Sequence, residues 1–341
     1  MNGEDQLIRK IARAVPSQIG RGAHDGGLAL GIGDDAAILA SRPGDAWVVS
    51  CDSFIEGVHF LANVHPADSV GYKSLVRAVS DLAAMGAAPR FFFLALALPA
   101  GRTGRWLDEF LRGMRRAARS LDMRLAGGDT TTGRVVSISL TVVGLFARRA
   151  GRNAAHPVTR SGARPGDRIY VTGRLGRAQL GLELLRRGRL KDRRFAPLLQ
   201  QHLYPRIRVA LACWLARNRV PSAMIDLSDG LSSDLSRLCR ASNVGARLWA
   251  DRIPSVSLPS AVSKLPRLRK LNPLQMALHG GDDYELLFTV PARKEKRLRA
   301  APQFSEFTCI GEITHGRRIL LIGSNGRATP LEPAGWDPFR K

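Results

Sequence analysis

Aspartate recurs beside glycine in five short motifs spread along almost the whole chain. They are GIGDD (31–35), SCDSFIEGVHF (50–60) with Asp52, GGDTT (127–131), IDLSDG (225–230) and GGDDYEL with Asp282, Asp283 and Glu285. Glycine permits tight turns and close ligand approach. Aspartate is the hard oxygen ligand that Mg²⁺ takes, usually together with substrate phosphates. The formal net charge is +23. Five such motifs in a basic chain point to one site that gathers metal ions and polyphosphate.

Composition limits the alternatives. A chain of 341 residues, 45% hydrophobic, suits two domains rather than one core. The apolar run FFFLALALP (91–99) is too short to span a membrane and is flanked by Arg90 and Arg102. The opening MNGEDQLIRKIARAV reads as an amphipathic helix over 4–15 rather than a secretory signal. Cys51, Cys213, Cys239 and Cys309 form no CxxC pair. Free thiols in a cytoplasmic protein are the simple reading, and zinc is not expected. The positive charge is mostly scattered arginine with no interleaved aromatic rings. Nucleic acid is therefore not expected as the main partner, and solvated basic helix faces account for the charge.

Periodicity predicts a mixed architecture. Strands are expected at 46–52, 91–99, 135–146, 167–173, 285–290, 307–312 and 318–323. Helices are expected at 66–86, 103–121, 176–187, 205–218 and 230–241. FFFLALALP reads as a buried strand, and Trp106, Phe110, Leu111 and Met114 as the inward face of the second helix. The segment 251–275 reads as Pro-rich and irregular. A polar Arg/Gly/Pro-rich stretch near 147–165 marks a boundary. Helices and strands alternate without strict βαβ regularity, so both halves are expected to be α/β or α+β with mixed sheets.

Each motif alone admits a plain structural reading. GIGDD reads as a capped turn, GGDTT as a strand-end turn, and Ser228 or Asp229 of IDLSDG as a helix N-cap. Asp81 is more demanding: a carboxylate between Val79 and Leu82 of an apolar helix needs a partner, a metal or the solvent edge. The chain has no GxxxxGK[ST] loop and no GxGxxG between a strand and a helix. Phosphates must then be held another way, and aspartate-bound Mg²⁺ is the direct route.

Taken in order, the segments GIGDDAAIL, CDSFIEGVHF, YKSLVRAVSDLAAMGAAPRFFFLALALP, LAGGDTT, TRSGARPGD, IYVTGRLG, IDLSDGLSSDL, GGDDYELLFTVP, CIGEIT and GWDPF resemble those of the thiamine-monophosphate kinases. These belong to the aminoimidazole-ribonucleotide synthetase-like superfamily. The resemblance implies a two-domain α/β (α+β) fold whose N-terminal sheet pairs with that of a second subunit. Residues 1–148 would form an ATP/Mg-binding and dimerisation domain, and 149–341 a domain completing the cleft. It implies several Mg²⁺ ions, ATP as co-substrate, thiamine monophosphate as acceptor and a homodimer.

By resemblance, Asp35, Ser50, Cys51, Asp52, Asp81, Asp129, Asp226 and Asp229 fall on metal positions. Asp129, Arg160 and Ser228 fall on ATP positions, and His59, Asp282 and Trp336 on thiamine-phosphate positions. Cys51 replaces the family's usual threonine, Asp282 its common glutamate, and Trp336 an aromatic that is often tyrosine. If Cys51 gives its backbone carbonyl, its replacement is harmless; if a hydroxyl is needed, Mg²⁺ affinity should fall. No side chain is expected to act as a covalent nucleophile. The alternatives are an ATP-dependent enzyme for another small phosphate or carbonyl substrate, and a basic nucleic-acid-binding protein.

Overall fold

The alternation of small and apolar residues along AWVVSCDSFI places a long strand at the middle of the first sheet. The computed structural model describes residues 28–30, 34, 36–40, 46–146, 157–265, 268–299 and 306–339. It divides into two compact units. One comprises residues up to Pro157 with Ala212–Arg217 and Asp337–Lys341; the other comprises Val158–Leu211 and Asn218–Trp336. The predicted helix over 4–15 and most of GIGDD, including Asp35, lie outside the described residues.

The first unit holds strands β1 (Leu28–Leu30), β2 (Ala37–Ala40), β3 (Ala46–Ile55), β4 (Ala88–Leu98), β5 (Arg124–Thr132) and β6 (Ser137–Phe146) in the order β1-β2-β3-β6-β4-β5. Only the β4–β5 pair is parallel. Helices α1 (Ala67–Ala84) and α2 (Arg105–Ser120) follow β3 and β4. They approach backbone to backbone through two glycines. A Cβ on Gly71 would lie 1.9 Å from the Phe110 carbonyl oxygen, and one on Gly113 would lie 1.7 Å from that of Asp68. Any larger residue at either position would push the helices apart.

Side chains of β3 and β6 alternate between buried and more open positions. β4 differs from its prediction as a buried strand. Phe92, Leu94, Leu96 and Leu98 are buried, but Phe91 and Phe93 are exposed on the other side. The strand is apolar throughout because its second face is apolar too, which a run of hydrophobic letters cannot distinguish from two-sided burial. Leu111 likewise points outward while Phe110 and Met114 are buried, so the apolar stripe of α2 is narrower than predicted. GGDTT is not a strand-end turn: Asp129 lies inside β5, in register with Ala95 of β4.

The second unit holds β7 (Arg168–Thr172), β8 (Ala223–Leu227), β9 (Gly245–Trp249), β10 (Glu285–Val290), β11 (Phe307–Thr314), β12 (Ile319–Ile322) and β13 (Ala328–Pro330). Their order is β13-β12-β9-β11-β7-β10-β8. Its helices are α3 (Arg177–Arg186), α4 (Ala196–Leu203), α5 (Val209–Arg217, which ends in the first unit), α6 (Leu231–Ser242), α7 (Ser260–Ser263), α8 (Pro273–His279) and α9 (Glu295–Arg299). Every residue of β8 and β10 is buried. The core joins Ile169, Val171, Ile225, Leu227, Leu235, Leu238 and Leu287.

The segment 251–275 is not wholly irregular, because α7 lies within it and α8 starts in it. Asn272 accepts N–H bonds from Leu274 and Gln275, and Pro273 occupies the first helical position. Asn followed by Pro is a helix start of the ordinary kind. The Pro-rich context masked it.

Candidate active site

In the first unit, a strand and a helix present matching pairs of polar side chains. Ser50 and Asp52 are two residues apart on β3, about 6.8 Å. Arg77 and Asp81 are four apart on α1, about 6 Å. The repeats match, and the helix runs against the strand. Ser50 Oγ donates to Asp81 Oδ2 at 2.5 Å. Arg77 Nε lies 2.7 Å from Asp52 Oδ2, and its Nη2 donates to Asp52 Oδ1 at 3.1 Å. This meets the demand made by Asp81, which has a hydroxyl partner at the strand. Lys73, one further turn along α1, is buried.

Cys51 points the other way. Its side chain is exposed on the opposite sheet face, with Thr141 Oγ1 3.6 Å from its sulfur. Neither its thiol nor a hydroxyl in its place would reach the side of Asp52 and Asp81, which leaves only its backbone carbonyl as a ligand.

His59 follows β3 in a turn, where its Nδ1 accepts the N–H of Ile55 at 3.0 Å and its ring lies 5.6 Å from that of Phe54. That bond places a ring proton, when the imidazole is neutral, on Nε2. Asp129 does not join Asp52 and Asp81. β6 and β4 lie between β3 and β5, and three strand spacings measure about 14 Å along the sheet.

In the second unit, IDLSDG runs from the end of β8 into α6. Asp226 is buried and Ser228 and Asp229 are half-buried. Neither Ser228 nor Asp229 is the N-cap. Gly230 occupies that position, and Asp234 reaches back to accept the N–H groups of Asp229 at 3.1 Å and Gly230 at 3.0 Å. Burial, followed by the neighbouring Asp229 charge, pushes the Asp234 carboxyl well above the usual range. Arg237 Nη1 stands against both acids, 2.5 Å from Asp229 Oδ2 and 2.7 Å from Asp234 Oδ1.

GGDDYEL lies alongside this loop. The N–H of Asp282 bonds to the Ser228 carbonyl and that of Tyr284 to the Leu227 carbonyl, both at 2.8 Å. These bonds hold Asp282 and Tyr284 in left-handed conformations, at φ 68° and 50°, which cost energy for residues other than glycine. Asp282 Oδ1 accepts from the Tyr284 hydroxyl at 2.7 Å, and His202 Nδ1 lies 3.8 Å from Oδ2.

Asp283 turns inward and accepts the N–H groups of Gly176 at 2.6 Å and Ala178 at 3.2 Å, at the start of α3. Glu285 meets Arg208 through two bonds and Thr172 through a third. GGDDYEL thus sends one acid outward and two into structural bonds.

The GWDPF tail is fixed to the same place. Trp336 N–H donates to the Asp229 carbonyl at 2.9 Å and Gly335 N–H to Ser233 Oγ at 3.0 Å, while Trp336 as a whole is 46% exposed. A Cβ on Gly335 would lie 2.1 Å from the Asp229 carbonyl oxygen. Arg160 is half-buried, and its carbonyl and the N–H groups of Gly162 and Ala163 all meet Ser242 Oγ.

The structure therefore brings Ser50, Asp52 and Asp81 together in one unit. In the other it brings Asp229, Ser228, Asp282 and Trp336 onto adjoining loops. Sequence reading missed Lys73, Arg77, His202, Asp234 and Arg237. Among the described residues, no three His, Cys, Asp or Glu side chains form a closed metal cluster. Each set instead offers one or two carboxylates with hydroxyl and carbonyl oxygens. That is the donor set Mg²⁺ accepts when phosphates and water complete its shell, so the residues fit the ion.

Two domain models cover most of the chain: residues 33–146 match the AIR synthase related protein, N-terminal domain, and residues 164–323 the C-terminal domain. A thiamine-monophosphate kinase of Escherichia coli (strain K12) is 39% identical over 314 residues, covering 91% of this chain and 92% of the relative. Among solved structures, AaThiL complexed with AMPPCP and TMP is 30% identical with a TM-score of 0.82, covering 99% of this chain and 97% of that one. The thiamine-monophosphate kinase from Stenotrophomonas maltophilia K279a is 35% identical with a TM-score of 0.71, covering 95% and 96%. The chain belongs to the thiamine-monophosphate kinase family of AIR synthase related proteins.

Proposed function

We propose that this protein transfers the terminal phosphoryl group of ATP to the phosphate of thiamine monophosphate, giving thiamine diphosphate. The carrying observation is the strand–helix ladder of Ser50, Asp52, Arg77 and Asp81, in a chain with 30% identity to a protein seen with AMPPCP and TMP. Two anions must meet in line, so the work is positioning and charge neutralisation.

Bound Mg²⁺ would supply that neutralisation. Asp35, Ser50, Asp52, Asp81, Asp129, Asp226 and Asp229, with the Cys51 carbonyl, are the residues to hold it. Because Asp52 and Asp129 of one chain stand apart, they would serve different phosphate contacts. Arg160, Ser228 and Asp129 would contact ATP. His59, Asp282 and Trp336 would contact thiamine monophosphate, the indole by stacking. The acceptor phosphate is already ionised near neutral pH, so no side-chain nucleophile or base is needed.

In this reading residues 1–148 supply part of the ATP- and Mg²⁺-binding side chains, and residues 149–341 supply Arg160, Asp226, Ser228 and Asp229. The exposed face of the first sheet, with Phe91 (39% exposed) and Phe93 (43% exposed), supports a homodimer formed by pairing that face with a second copy. No helix among the described residues is long and apolar enough to cross a membrane, and we place the enzyme in the cytoplasm. Purified protein supplied with ATP, Mg²⁺ and either thiamine monophosphate or thiamine tests the assignment. Thiamine diphosphate is expected from the monophosphate alone; no product from it would refute the substrate.

A further inference from the structure

We propose that Arg77 and Arg237 set the protein's affinity for its divalent ion. Each is a fixed cation bonded to a carboxylate assigned above to Mg²⁺, Arg77 to Asp52 and Arg237 to Asp229. The inference rests on that metal reading, and two separate pieces of geometry carry it.

Arg77 meets both oxygens of Asp52, at 2.7 and 3.1 Å. Its Nη2 makes the hydrogen bond to Oδ1, and its Nε meets Oδ2 as an ion-pair contact rather than a second hydrogen bond. Its Cζ also lies 5.3 Å from the centre of the Phe54 ring, so the guanidinium is held by packing as well as by charge. Arg237 is anchored differently. Its Nη1 bridges Asp229 and the buried Asp234, whose other oxygen is taken by the N–H groups of Asp229 and Gly230. Arg237 therefore stays on Asp234 whatever Asp229 does.

A carboxylate oxygen has more than one lone-pair direction, so neither arginine blocks an ion sterically. Each opposes it by charge. A guanidinium on one side of a carboxylate lies roughly 5–6 Å from an ion on the other side, and repulsion between them at that range weakens binding by about tenfold or more. The consequence is an order of binding. Free ions are held weakly, and ions that arrive with the negative charge of a nucleotide's phosphates are held well. The arginines thus favour the metal–nucleotide complex over the bare ion.

The test uses Mn²⁺ as the probe, with free Mn²⁺ followed by electron paramagnetic resonance as full-length protein is added. Wild type is compared with Arg77→Gln, Arg77→Lys, Arg237→Gln and Asp52→Asn, each checked for folding by circular dichroism. Without nucleotide, Arg77→Gln should bind Mn²⁺ about tenfold tighter or more, and Arg77→Lys, which keeps the charge, should stay within about threefold of wild type. With ATP present the gain should shrink. Folded Arg77→Gln binding no tighter than wild type would overturn the inference. If Arg237→Gln fails to fold because Asp234 loses its cation, Arg77→Gln decides alone. If Asp52→Asn binds Mn²⁺ as well as wild type does, the metal reading of Asp52 fails and the inference falls with it. Loss of affinity in Asp52→Asn, with no gain in Arg77→Gln, sinks the arginine inference alone.

Discussion

Replacing Asp283 with asparagine sets two physical effects against each other. The carboxyl is buried and accepts the N–H groups of Gly176 and Ala178 at the start of α3. Those donors, at the positive end of a helix, favour the ionised form. Burial opposes them and wins, pushing the acid from 3.8 up to about 7.

Between these two values the folded protein keeps a proton that the unfolded chain has released. Wild-type stability from this group is therefore complete below the unfolded value and is lost as pH rises towards 7. The loss is at most about 1.4 kcal/mol per pH unit and ~4 kcal/mol in all. Asparagine cannot ionise. It keeps a carbonyl for Gly176 but turns an amide towards Ala178, a cost of about 1 kcal/mol at every pH. At pH 5, where roughly 1.6 kcal/mol of that loss has already occurred, the substitution should leave the second unit within about 1 kcal/mol of wild type. It should stabilise it by about 3 kcal/mol at pH 7.5, once the ~4 kcal/mol of burial penalty is removed. Urea unfolding of both proteins at pH 5, 6 and 7.5 reads the difference directly, with other titrating groups cancelling. A difference constant across that range would mean that Asp283 is ionised throughout and that the helix terminus outweighs burial.

Two further outcomes follow from named contacts. Gly335→Ala would force a methyl within 2.1 Å of the Asp229 carbonyl oxygen and lift the Trp336 backbone from it; the KM for thiamine monophosphate should rise about tenfold while that for ATP changes little. An unchanged KM would remove Trp336 from the substrate site. Phe93→Glu places a charge on the exposed sheet face and should give a monomer by light scattering, whereas a folded dimer would show that the copies pair elsewhere.

How far the sequence could be read depended on the range over which each signal acts. α1 was found closely, since its apolar spacing and the glycine after it are local signals. The strand–helix junction at IDLSDG was found for the same reason. What fails is pairing across distance. Asp52 and Arg77 are 25 residues apart, and their bond follows only once α1 is known to lie against β3 in the opposite sense. Arg237 read as one more basic helix residue, because nothing in the letters says that Asp234 is buried beside it. GGDTT read as a turn because two glycines weaken a strand prediction, yet β4 supplies the pairing that keeps Asp129 extended.

Aspartate-held Mg²⁺ is proposed to carry the phosphoryl transfer. The most direct measurement is chromatographic detection of thiamine diphosphate from ATP and thiamine monophosphate, by wild type and Asp52→Asn, across a Mg²⁺ titration. A loss of roughly 10²–10³-fold in turnover is expected for Asp52→Asn at limiting Mg²⁺, partly recovered as Mg²⁺ is raised. Near-normal turnover by Asp52→Asn at limiting Mg²⁺ would contradict it.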